Sequence, residues 1–210
     1  MSAHPRAWRL SFSDLAPGSL PSVEDWDHRF ADSARAFRTR YCAHEQITCL
    51  RETLANLRPN PLLVDTYQET FGESDLLTRA SVTGAFRRRF VLQPVQILCT
   101  AGPLIAVDIE AIRQKLEREH RPLMDRHGLT RLDLSQLGDL HREVSQIIAR
   151  YLFDQGAGGI IYRSRLDGGA CVALFAGRTQ LIPDGDAIPL TEAIPALSQV
   201  CAEYGLTLVD

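Results

Sequence analysis

Apolar residues recur along this chain in two rhythms. Between about Glu45 and Leu57, the residues Ile47, Leu50, Leu54 and Leu57 fall three or four apart. That spacing predicts a helix with one buried stripe, stopped by Pro59. A longer stripe of Leu137, Leu140, Val144, Ile147, Ile148 and Tyr151 predicts a helix over Leu134 to Phe153, with Gly156 as its C-terminal stop. A charged helix is expected at "IEAIRQKLEREH", where Ile109, Ile112 and Leu116 share a side. A short helix should start at Pro195, carry Leu197, Val200, Cys201 and Tyr204, and end at Gly205. Shorter β-prone runs predict strands at Trp8 to Phe12, Phe37 to Ala43, "RRRFVLQPVQILC" and "LIAVD". After the turn "DQGAGG", the runs "IIYRS", "CVALFAG" and "TQLIP" are expected to pair as adjacent strands, partly through "LDGG". Strands and helices mix without a regular βαβ alternation, which favours an α+β fold of a single domain over a doubly wound sheet.

Composition narrows the classes of function. At 210 residues, 45% hydrophobic and 23% charged, the chain suits one sizeable core. A net charge of -3 gives no overall pull towards nucleic acid or anionic lipid, so direct nucleic-acid binding is not expected, and "FRRRF" at 86–90 reads as a surface strand. No run approaches the apolar length of a membrane span, and the N-terminal stretch has no signal-like apolar core, so a cytoplasmic protein is expected. Cys42, Cys49, Cys99, Cys171 and Cys201 are odd in number and contain no CxxC pair, which argues for reduced thiols and against a zinc knuckle. The six histidines form no metal-binding spacing, so no metal is expected. Lys115 is the only lysine, so the cations of any phosphate site here are expected to be guanidinium groups.

Glu52 is the polar residue whose surroundings are hardest to explain as an ordinary helix surface. It points away from the buried stripe of its helix, and its neighbours three and four residues off are Thr48, Cys49, Ala55 and Asn56. None carries a positive charge and all are small, which suits the wall of a cleft better than a solvated flank. Two further places set polar groups beside apolar strands: "DHRF" at 27–30 and "YRSRLDGG" at 162–169. The glycine pairs match neither GxGxxG nor a Walker loop, and no GxSxG elbow surrounds Ser164.

In combination these segments resemble the RES domain, a bacterial family named for its Arg, Glu and Ser. The resemblance rests on "HRF", a strand ending near Tyr41, "CLRETLANLRP" and "DQGAGGIIYRSRLDGGACVALF", and it spans roughly residues 24–182. It implies a catalytic domain over 24–182, preceded by a strand and loop over 1–23 and followed by a helical tail over 183–210. It also implies an ADP-ribosyltransferase-like split β-sheet flanked by helices. Members of the family that have been studied are toxins that consume NAD by splitting off nicotinamide with phosphate or water, and a helix-turn-helix antitoxin restrains them. By that resemblance NAD is a substrate and no cofactor is required. Glu52 would stabilise the positive charge that develops on the ribose, and Arg29 would grip the diphosphate with Arg163 or Arg165 as a supplement. Tyr41 would pack against nicotinamide, and Ser164 would offer its hydroxyl to ribose or phosphate. Arg38 and Arg40 stand as alternatives to Arg29.

Overall fold

A computed structural model describes residues 5–15, 28–59, 80–134 and 141–210. The first strand, β1 (Arg6–Phe12), alternates Trp8 and Leu10 on one face with Ala7, Arg9 and Ser11 on the other. β2 (Thr39–Ala43) runs antiparallel beside it and leads into helix α1 (Gln46–Leu54), which is prolonged by a 3₁₀ turn over Ala55–Leu57. The predicted stripe holds here, because Leu50 and Leu54 are fully buried.

The short strand β3 (Ser81–Val82) precedes α2 (Gly84–Arg89) and β4 (Phe90–Cys99). The arginines of "FRRRF" therefore lie on a helix, contrary to the strand expected for them. Thr83 caps that helix by accepting a hydrogen bond from Phe86 N–H at 3.2 Å. β5 (Leu104–Ala106), α3 (Glu110–Glu119) and α4 (Arg121–Arg126) follow. α5 is described over Arg142–Asp154. Leu134 itself lies in a turn, so the helix does not begin there, and Leu137 and Leu140 fall outside the described residues. Val144, Ile148 and Leu152 form the buried stripe of α5, each contributing about 1.5–3 kcal/mol by leaving water. Gly156, at φ +86°, ends the helix in the left-handed conformation expected of it.

The chain closes with β6 (Gly159–Arg163), β7 (Ala170–Phe175), β8 (Thr179–Pro183), β9 (Ile188–Pro189), α6 (Pro195–Tyr204) and β10 (Thr207–Leu208). The main sheet runs β5-β6-β7-β2-β1-β4-β8 with β9 also on β4, while β3 and β10 form a separate parallel pair. The fold is thus a mixed α+β single domain with a curled sheet and six α-helices among the described residues. β6 and β7 form the expected hairpin, but β8 does not join β7. It pairs with β4 from Val95↔Pro183 to Cys99↔Thr179. The curl brings the far end of β4 back to the end of β7, so a three-residue turn suffices for the crossing. Pro94 stands where β4 changes partner from β9 to β8, a place that tolerates a residue without an N–H.

Period-two alternation separates two cores. Ala43, Ile160, Tyr162, Cys171, Ala173 and Phe175 face the larger core with α1, α5 and α6. Cys42, Val172 and Leu174 face the smaller one with Ala7, Val95, Ile97 and Leu181. No helix among the described residues is long and apolar enough to cross a membrane.

Candidate active site

The helix-covered face of the sheet gathers the polar groups. Its register sets Tyr162 on β6 directly across from Cys171 on β7, which in turn opposes Ala43 on β2, and Tyr41 lies two residues along on the same face. α1 leaves β2 almost at once, so Glu52 is carried back over this face. The β6–β7 hairpin loop, residues 164–169, meets it there.

Ser164 Oγ donates a hydrogen bond to Glu52 Oε1 at 2.5 Å, and Ser164 is only 2% exposed. This is a short, charge-assisted contact. The serine oxygen accepts in turn from Leu166 N–H at 3.1 Å, which fixes its rotor so that the proton points at the carboxylate. Among the described residues Glu52 has no other hydrogen-bond partner, which leaves Oε2 available.

Arg29 reaches the same face from the loop before β2. Its guanidinium lies over the rings of Phe30 and Tyr162, at 5.1 and 5.2 Å from their centroids. Nε and Nη2 are buried and donate to nothing among the described residues. Burial lowers the Arg29 pKa, opposed by the nearby Tyr162, Glu52 and Tyr41 and reinforced by Arg165. The guanidinium thus feels the Glu52 charge without forming an ion pair with it. A half-buried cation whose Nε and Nη2 find no acceptor among the described residues, near a half-used carboxylate, can accept an anionic group at one end and stabilise positive charge at the other.

Tyr41 is half-buried. Its hydroxyl accepts from Phe30 N–H at 3.0 Å, which locks the Arg29 loop to β2, and its ring meets His28 edge-on at 5.9 Å. Asp32 supports the loop from below: it is 1% exposed, accepts from Ala34 N–H and Ala36 N–H, and pairs with Arg150 at 3.4 Å. Arg165 is exposed on the hairpin loop, close enough for its charge to act on Arg29.

Three of the arginines considered from sequence lie elsewhere, and one of them, Arg38, stands two residues before Arg40 with its charge acting there. Arg163 alternates with the buried Tyr162 and donates to Asp108 at 2.8 Å, on the far side of β6. Arg40 alternates with Tyr41 and donates to Thr179 O at 3.1 Å, and the charges acting on it come from Arg9 and Arg38. Strand parity therefore leaves Arg29, with Arg165 beside it, as the cation facing Glu52.

Tyr162 belongs to the site although the sequence did not single it out. Burial raises its phenol well above the ordinary value, and Cys171, Glu52 and Tyr41 add to the rise, so it stays neutral. Its position two residues before Ser164 was the available signal, since alternation sends both side chains to one face. The thiols nearby are not nucleophiles. Burial pushes Cys49 up to about 12, and Cys171 is raised by burial and then by Glu52 and Asp167. No cluster of three or more metal-ligating side chains occurs among the described residues.

A family model described as the RES domain matches residues 6–192. The fold is shared with a chain in the crystal structure of the M. tuberculosis MbcT–MbcA toxin–antitoxin complex, at a TM-score of 0.52 and 13% sequence identity, covering 95% of this chain and 90% of that one. No curated protein sequence matches the chain significantly.

Proposed function

The chain belongs to the RES domain family, and from that premise we propose that it is an NAD-consuming enzyme that breaks the nicotinamide–ribose bond and passes the ADP-ribosyl group to phosphate or water. The observation that carries this reading is the pairing of a half-engaged carboxylate, Glu52, with a half-buried guanidinium, Arg29, whose Nε and Nη2 are buried with no partner among the described residues.

NAD meets that arrangement at both ends. Its diphosphate supplies acceptors for Arg29 Nε and Nη2, which find none among the described residues, with Arg165 as a second cation on the exposed side. The ribose then lies towards Glu52. As the C1′–N bond breaks, its electron pair goes to the pyridinium nitrogen, so nicotinamide leaves neutral and needs no protonating acid. Positive charge builds on the ribose carbon and ring oxygen, where a fixed carboxylate stabilises it. Phosphate or water then forms the new bond to C1′, and water gives up one proton in the process. Ser164 acts by holding Glu52 aimed, and Tyr41 offers an aromatic face for nicotinamide.

Like the MbcT–MbcA pair, this chain is expected to work as the toxin of a toxin–antitoxin system, in the cytoplasm and restrained by a helix-turn-helix protein encoded nearby. The test is to incubate the purified protein with NAD, with and without phosphate, and to identify the products by mass. Free nicotinamide with ADP-ribose or its phosphate ester is expected. Folded protein that leaves NAD intact in both buffers refutes the enzyme and favours a nucleotide-binding module, and label appearing on protein or nucleic acid redirects the acceptor.

A further inference from the structure

Glu52 has a neighbour in sequence, Arg51, that joins three elements. Its Nη1 donates to Asp167 Oδ2 at 2.9 Å, while Nε and Nη2 donate to Glu203 Oε2 and Oε1 at 2.9 and 2.7 Å. Asp167 also accepts from Thr48 Oγ1 at 2.8 Å and from Gly169 N–H at 2.9 Å. Thr48 and Arg51 stand on α1, Asp167 on the loop that carries Ser164, and Glu203 on α6. The loop is closed by Ser164 N–H to Gly169 O at 2.8 Å and Gly168 N–H to Ser164 O at 2.9 Å. It lies flush on the helix, since a Cβ at Gly169 would stand 2.2 Å from Thr48 Oγ1. Despite its position at the surface, the Arg51–Asp167 pair is well shielded, with side chains 18% and 11% exposed.

The bonds Arg51–Asp167 and Glu52–Ser164 are thus two rungs between the same helix and the same loop. The second is short and directional, so it depends on the first to fix how the loop sits. We propose that Arg51 and Asp167 are positioning residues for the Glu52–Ser164 pair, and that Glu203 extends this clamp into a C-terminal helix lying beyond the residues matched by the family model. The Arg29 end of the cleft hangs on a different loop, held by Tyr41 and Asp32, so the clamp governs the bond-breaking step and leaves diphosphate binding alone.

The kinetic arm of the test rests on the NAD reading above; the exchange arm does not. Arg51→Lys, Asp167→Asn, Asp167→Ala and Glu203→Gln are made in the full chain, followed by NAD kinetics and by amide hydrogen exchange over residues 164–169. Lysine is a point charge and cannot serve Asp167 and Glu203 together. Asp167→Ala and Arg51→Lys are expected to lower kcat about 10- to 100-fold with KM within about threefold. Asp167→Asn, which keeps an acceptor for Thr48, should fall between them and wild type. Exchange at 164–169 should rise in Asp167→Ala and, more weakly, in Glu203→Gln, while β4 stays protected. Unchanged exchange in that loop overturns the clamp, and so does a loss of protection spread over the whole domain. If wild type leaves NAD intact, the substrate reading falls and the exchange result alone decides the clamp.

Discussion

Replacing Arg29 by methionine should make the ligand-free protein more stable while abolishing its use of NAD. Methionine fills a similar volume between the Phe30 and Tyr162 rings and carries no donors. Two buried donors, Nε and Nη2, have no partner among the described residues, and each donor left unmatched costs about 1–3 kcal/mol. Against that gain stand two cation–π contacts, worth about 1–2 kcal/mol each at a largely desolvated site, and the attraction to Glu52, which is not in ion-pair contact. The balance favours methionine by about 1 kcal/mol, or about 2–4 °C in Tm for a chain of this size. Thermal unfolding of wild type and Arg29→Met without ligand measures it directly. A residue kept at a cost to the fold is kept for what it binds. A fall of several degrees in the variant would refute this reasoning and make the guanidinium a structural prop.

Three further outcomes follow from the same geometry. Ser164→Ala removes a charge-assisted hydrogen bond to Glu52 and should lower kcat about 10- to 100-fold without changing Tm by more than a few degrees; stopped-time nicotinamide assays check it. At neutral pH iodoacetamide should modify Cys99, the exposed thiol, and spare Cys42, Cys49 and Cys171, whose burial raises them, Cys42 to about 11; mass mapping of rapidly labelled native protein would expose an error through early modification of Cys171. Burial pushes Asp167 up, but hydrogen bonds from Arg51, Gly169 and Thr48 outweigh it and hold the carboxyl below its ordinary 3.8, and Arg51 and then Gln199 hold Glu203 below 4.5. Depressed folded values mean stability that is full above those ordinary values and is lost as pH falls through the lower folded ones. Urea titrations should therefore show a decline below about pH 4.5 that is shallower in Asp167→Asn.

Much of the candidate site's geometry was readable from the chain because it is built from local rules. The small neighbours of Glu52 marked it as facing something other than solvent, and the strand run before it placed Tyr41 one short turn away. Alternation could also have set Arg163 apart from Ser164, since residues adjacent on a strand face opposite ways. What escaped was tertiary. Nothing in "TQLIP" says that it belongs beside β4, because that pairing depends on how far the whole sheet curls. The arginines after Thr83 went to a helix on the strength of one cap, against an apolar run that suits a strand. Asp167 read as a turn residue, and its second role, bridging to Arg51 and through it to Glu203, joins residues more than a hundred positions apart.

The most direct measurement is calorimetric titration of NAD into Glu52→Gln, alone and combined with Arg29→Met. Removing the charge but not the shape of Glu52 should leave one NAD bound per chain, uncleaved over the titration, and adding Arg29→Met should erase the binding heat. Rapid nicotinamide release by Glu52→Gln, or NAD binding that survives the loss of Arg29, would contradict an account in which one carboxylate stabilises the ribose cation and one arginine holds the diphosphate.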